Sequence, residues 1–343
     1  MHVMENEFAG LVLLVGAGAM NACFALPMKR MGRWAWENTW LVWSGFALVL
    51  LPLLSALCFI PSLKEALLAG GVSLLFLVGV CGFAWGIAQV LFGLAIDMIG
   101  VTLSFSIVLG LSAAVGSIVP FVRLAVRRGF VFTDLLFVGA LALVLSGVFF
   151  CAWAGSVRDR SQPGTESVNP RSSFHRGLIC AVCSGLGAAA MNIGISLGAP
   201  IDLQALAHGA QPALSHTAVW FPLLEAGAIP NLAYCALLLR RNSSYGRFSA
   251  ERTGRYWLGG LIMAVFWFTS SILYSIGAAK MGQFGLAIGW PAFMAAIVVT
   301  AGIVGVVTGE WTGAPRRAFS LQATGMLLLL ISILLLAKSS GKM

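Results

Sequence analysis

The chain has 343 residues, of which 59% are hydrophobic and only 10% charged, with a mean hydropathy of +0.93. A soluble domain carries roughly 25% charge, so this composition excludes a water-borne globular protein and makes lipid the main solvent. The net charge of +9 requires no nucleic acid, because basic residues at helix ends facing anionic lipid are a sufficient account.

In chain order, uncharged runs cover 8–28, 38–63, 66–96, 98–122, 135–156, 177–201, 256–279, 281–309 and 318–337. A further hydrophobic segment, 217–239, is interrupted only by Glu225. A hydrocarbon core about 30 Å thick takes roughly 20 residues at 1.5 Å each. The sequence therefore predicts an all-α integral membrane protein with ten transmembrane helices, since the runs lack the ten-residue alternation of a membrane barrel. The first run follows Glu5 and Glu7 rather than a basic leader, and reads as a retained helix rather than a cleaved signal. All seven cysteines fall inside predicted helices, including the Cys180-x-x-Cys183 pair; packing is the reading for each.

Lys and Arg are unevenly shared between alternate connections. Fourteen of the 21 fall on the connections after helices 1, 3, 5, 7 and 9, and seven on the opposite set. The basic-rich face is expected in the cytoplasm, leaving both termini outside. The Arg123 to Arg128 cluster counts the other way.

One hydrophilic stretch, "SVRDRSQPGTESVNPRSSFHR", is rich in Ser, Pro, Gly and charge like a linker. It divides the chain into a first five-helix unit, 1–156, a polar linker, 157–175, and a second five-helix unit, 176–343. "GAGAMNACFAL" at 16–26 returns as "GAAAMNIGISL" at 187–197, with six of eleven positions identical and an Asn, Asn21 or Asn192, in the same slot. A weaker echo pairs Trp85, Leu91, Phe92 and Gly100 with Trp267, Leu273, Tyr274 and Gly282. Because five is odd, a duplicated unit enters from the opposite face, and two inverted repeats around a midplane cavity are the expected architecture.

Such a cavity needs polar groups. Asn21 and Asn192 lie halfway along the first and sixth predicted helices, each offering two donors and an acceptor to a hydroxylated solute; bonding to a neighbouring helix as interhelical glue is the competing role. Trp85, Gln89 and Phe92 share one helical face, as do Trp267, Ser271 and Tyr274. A sugar stacks its C–H face on rings while its hydroxyls seek hydrogen bonds, although the same residues also serve as packing. Glu225 is the only carboxylate well inside a predicted span. It is a proton-coupling candidate, against pairing with another group or a helix broken near Pro222 and Pro230. Glu37 and Glu310 read as interfacial ion-pair partners. The four histidines show no metal-ligand spacing, and no HExxH, GxSxG or phosphate-cradling loop occurs, so neither an enzyme nor a metal or cofactor is expected. A channel would need a charged ring or filter.

The segments "PMKRMGRWAWENTW", "WGIAQVLFGLAIDMIG", "GAIPNLAYC" and "GIVGVVTGEWTGAPRR" resemble, in the same order, the L-rhamnose/proton symporter family of the drug/metabolite transporter superfamily. The specific matches are Trp36-Glu37, Trp85-Gly86-Ile87, Asn231, Trp267 with Tyr274, and Glu310-Trp311 to Arg316-Arg317. The resemblance implies ten helices in a bacterial cytoplasmic membrane and uptake of a deoxy sugar driven by protons. Phe92 stands where the family pattern has a tyrosine, and Glu225 where it has a small residue. An exporter or uptake carrier of amino acids or other small metabolites is the rival on the same scaffold. Apolar outer faces fit lipid and a second copy alike.

Overall fold

The computed structural model describes residues 2–129, 134–161, 171–282 and 285–340. It is all helical across the described residues, with ten helical stretches long and apolar enough to cross a membrane. Helix α1 spans His2–Cys23 and passes through a 3-10 turn, Leu26–Arg30. The second span is composite: α2, Trp36–Ser44, a π-helical turn, Gly45–Leu50, and α3, Leu51–Phe59. Pro52 has no N–H for the Leu48 carbonyl, and a wider turn at this point is the known helical accommodation. After short α4, Leu63–Leu67, come α5, Gly71–Ile99, α6, Val101–Arg128, and α7, Asp134–Ser161. Then follow α8, Arg171–Leu197, its continuation α9, Ala199–Ala207, and α10, Thr217–Arg241. The chain ends with α11, Gly254–Lys280, α12, Gly285–Val307, and α13, Arg316–Ser340.

Every expected span is found. The helix break considered near Pro222 and Pro230 does not occur, because α10 runs through both prolines. Of the linker expected at 157–175, residues 157–161 extend α7 and 171–175 begin α8; residues 162–170 lie outside the described residues. Only Gly100 separates α5 from α6, at φ 84°, a left-handed conformation that costs glycine little.

Lipid supplies no hydrophobic drive between helices, so close packing through small residues does the work. Helix α5 packs against α8 and α10, α1 against α11 and α12, α6 against α8, and α7 against α13. A side chain on Gly82 would collide with the Leu223 carbonyl, and one on Gly86 with the Gly227 carbonyl. Residue numbers rise together along this contact, so α5 and α10 run in the same direction.

Alternate connections gather at the same end of the bundle. The Lys29 ammonium pairs with Glu310, and Arg158 sits 3.9 Å from Glu310 and 5.2 Å above the Trp311 ring. Arg33 donates to the Glu251 carbonyl at 2.6 Å, and Asn38 Nδ2 to the Ser244 carbonyl at 3.1 Å. The Lys29 hydrogen bond holds the Glu310 carboxyl below its ordinary range, with Arg158 adding to the effect. At the other end, His216 lies 3.0 Å from Asp202 in the α9 to α10 connection.

The α5–α10 contact predicts a sharp contrast. Gly82→Val is expected to destabilise by roughly 1–3 kcal/mol through overpacking against backbone. Gly93→Ala, which meets nothing within 4 Å, is expected to stay within about 0.5 kcal/mol of the parent. Thermal unfolding of the detergent-purified variants measures both.

Candidate functional site

One candidate of α5 meets one of α11 inside the bundle. Trp85 stacks on Trp267 with ring centroids 5.7 Å apart and planes 30° from parallel. Both side chains are buried. Gly227 lets this happen, since a side chain there would strike the Trp85 ring. On α1, Asn21 Nδ2 donates to Ser270 Oγ at 3.1 Å, one turn from Trp267. Ser270 and Ser271 both donate to the Trp267 carbonyl, at 2.7 and 3.1 Å. Asn21 and Gln89 are only partly buried. That Nδ2 contact is the only side-chain hydrogen bond of Asn21 among the described residues, and Gln89 has none, so both amides keep unused capacity.

Asn192 occupies a different environment. It is fully buried, donates to the Gly116 carbonyl at 2.8 Å and the Leu286 carbonyl at 3.0 Å, and accepts from the Tyr274 hydroxyl at 2.6 Å. The first of these partners has a covalent origin: Pro120 lies inside α6 and lacks the N–H that would bond the Gly116 carbonyl four residues back. Asn192 replaces that missing donor. Tyr274 is clamped beside Trp290 and Phe293, at 5.4 and 5.1 Å between ring centroids. The two echoed asparagines, alike in sequence, therefore differ: Asn192 ties α8 to α6, α11 and α12, while Asn21 borders the aromatic stack.

Residues that the site reading of the sequence left out complete the cluster. "WENTWLVW" places Trp36, Trp40 and Trp43 at a 4, 3 spacing on one face of α2. Trp43 meets Trp267 edge-on at 5.5 Å, Trp40 at 4.4 Å, and Phe24 of α1 at 5.5 Å. Trp40 Nε1 donates to Asn231 Oδ1 at 3.3 Å, and Asn231 Nδ2 donates to the carbonyls of Gly227 and Gly86 at 3.0 and 3.4 Å. Trp43 Nε1 and Ser44 Oγ are buried without a partner among the described residues, which is costly unless a ligand or water supplies one. Phe92, two turns along α5 from Trp85, packs edge-on against Phe105 of α6 at 4.8 Å.

Two carboxylates stand apart. Glu225 is partly buried on α10, and no hydrogen bond or ion pair joins it to another candidate among the described residues. Glu37, expected to pair with a cation, accepts instead from neutral groups, Ser244 Oγ at 2.6 Å and Asn242 Nδ2 at 3.0 Å. It is 3% exposed. With Asn38 it bolts the start of α2 to the connection between α10 and α11. No cluster of metal-ligating side chains occurs among the described residues.

Polar and aromatic groups gathered at mid-span between helices of a ten-helix bundle are the build of a membrane solute transporter. The sequence matches the family described as L-rhamnose-proton symport protein (RhaT) over residues 5–339, and the chain belongs to that family, one of transporters and not of enzymes. L-rhamnose-proton symporters of Escherichia coli O17:K52:H18 and Shigella dysenteriae serotype 1 are each 26% identical over 331 residues, covering 93% of this chain and 94% of the relative. That of Klebsiella pneumoniae is 26% identical over 329 residues, with the same coverage. Ten spans and this family make the chain a multi-pass protein of the inner membrane.

The role of Asn192 as a brace is testable by coupling. Asn192→Leu is expected to cost about 1–3 kcal/mol for each buried partner left unpaired. In a Pro120→Ala background, where residue 120 regains its N–H, the added cost of Asn192→Leu should fall by roughly 1 kcal/mol. Additive effects in thermal unfolding would contradict the assignment.

Proposed function

We propose that this chain takes up L-rhamnose or a related neutral deoxy sugar together with protons, by alternating access. The observation that carries the reading is the Trp85–Trp267 stack with two under-used amides, Asn21 and Gln89, on the helices beside it. Rings to pack on C–H faces and amides to meet hydroxyls are what a neutral sugar requires. Membership of a family whose relatives are named L-rhamnose-proton symporters supports the substrate and the ion. Trp85, Gln89, Asn21, Trp267 and Ser271 contact the sugar in this reading, and Asn192 and Tyr274 hold the helices that present them.

The moving parts are two five-helix repeats, 1–156 and 176–343, joined by the 157–175 linker and related by a pseudo-two-fold axis in the membrane plane. Helix pairing supports this. Exchanging the halves turns the α5–α8 pair into α11–α1, α6–α8 into α12–α1, and α6–α7 into α12–α13, and each of these is a packed pair. The stack then takes one tryptophan from each repeat. Rocking of one repeat on the other opens the stack to alternate sides. Glu37, Asn38, Asn242 and Ser244 bolt the basic-rich end, which the distribution of Lys and Arg assigns to the cytoplasm, with both termini outside. Glu225, a carboxyl inside a span without an ion partner among the described residues, takes up and releases the coupled proton.

Uptake into right-side-out vesicles tests this. L-rhamnose should accumulate under an inward proton gradient, and extrusion instead would favour an exporter. Trp267→Ala should weaken sugar affinity at least tenfold, about 1.4 kcal/mol. Glu225→Gln should retain sugar binding while abolishing proton-driven accumulation.

A further inference from the structure

A groove of about 340 Å³ lies on the outside of the α5–α10 contact, away from the stack. Ile87, Val90 and Leu91 form one wall and Pro230, Tyr234 and Leu237 the other. Its lining is apolar but for the Tyr234 phenol, and Ile87 and Leu237 are exposed. In a ten-span protein, exposure at this depth is exposure to lipid.

Charged residues lie beyond one end of the groove. Tyr234 lies within electrostatic reach of Asp97, near the end of α5, and of Arg241, at the end of α10. The Gly82–Leu223 and Gly86–Gly227 contacts place Asp97 level with Leu238, so Asp97 and Arg241 lie within about one helical turn of each other in depth, on opposite rims. They form no ion pair with one another among the described residues, and both are exposed. Trp36, 38% exposed, packs edge-on to Tyr234 at 6.4 Å, giving the paired aromatics that mark headgroup level. From Asp97 back to Ile87 is ten residues, about 15 Å of helix, or roughly half the hydrocarbon thickness. The groove and the charged pair beyond it together span about one leaflet.

We propose that this groove binds a single phospholipid bearing a primary ammonium headgroup, with Arg241 on its phosphate, Asp97 on its ammonium and one acyl chain along the α5–α10 walls. An anionic glycerol headgroup would place its phosphate on Arg241 equally well but bring no positive charge to Asp97, and a quaternary ammonium has no N–H to donate to the carboxylate. Bound there, the lipid seals from outside the close contact of Gly82 and Gly86 with α10.

Native mass spectrometry of the detergent-purified protein, titrated with phosphatidylethanolamine, phosphatidylcholine and phosphatidylglycerol of identical acyl chains, reads the selectivity. Phosphatidylethanolamine should bind at least fivefold more tightly than either other lipid. Asp97→Asn should bring it level with phosphatidylcholine, and Arg241→Ala should weaken all three. Independently of any variant, phosphatidylethanolamine with a diazirine in its acyl chain should label the wild-type protein within residues 87–91 and 230–237. Equal binding of the three lipids, selectivity that survives Asp97→Asn, or labelling spread evenly over the outer helices would overturn the assignment.

Discussion

In hydrocarbon no polar group can fall back on water, so each buried donor or acceptor must find a partner inside the protein or in its ligand. This constraint sorts the polar residues of the bundle. Asn192 has every side-chain hydrogen-bonding group that matters committed: to a carbonyl left open by Pro120, to the Leu286 carbonyl, and to the Tyr274 hydroxyl. Asn231 is likewise consumed by backbone carbonyls and Trp40. Asn21, Gln89 and the Trp43 indole N–H are not consumed, and they sit on or beside the rings of the central cluster. What is left unsatisfied after the scaffold has used its share is where a hydroxylated solute would contribute most.

The contacts between the first and second halves of the chain differ in kind, and the proposed rocking rests on that difference. Glycine lets α5 and α10 touch backbone to backbone at Gly82 and Gly86, a rigid contact with no long side chain to rearrange. Across the stack, by contrast, the halves meet through aromatic faces, whose packing tolerates sliding and tilt. At the basic-rich end they meet through a few directed bonds from Glu37 and Asn38, which either hold or break. A close pivot, a sliding aromatic seam and a breakable bolt are the parts that a rocking mechanism requires.

Sequence alone carried much of this. Ten spans were legible because a charge-free run of about 20 residues has few other uses, and the Trp85 and Trp267 faces followed from helical spacing. The family was legible in the motifs from "WENTW" to "GEWTGAPRR". The α2 ladder of Trp36, Trp40 and Trp43 has the same 4, 3 spacing, yet periodicity names a face and not what lies opposite it, so its place at the site is not legible in the sequence. The unequal fates of Asn21 and Asn192 were invisible for a related reason. They depend on Pro120, more than 70 residues from Asn192, and on which helix brings its open carbonyl near. Glu37 reads from sequence as half of an ion pair, since basic residues crowd it there, while Ser244 and Asn242, its partners, arrive from the other half of the chain.

The claim on which the account rests is that the Trp85–Trp267 stack borders a wet, sugar-holding pocket rather than a dry core. Asn21→Cys, made after the seven native cysteines are replaced by serine, tests it by labelling with a small polar thiol reagent. The account predicts that Cys at 21 reacts and that saturating L-rhamnose slows the reaction severalfold, while Cys at lipid-facing Ile262 is unaffected by the sugar. A residue 21 that does not react, or reacts at the same rate with sugar present, would contradict it.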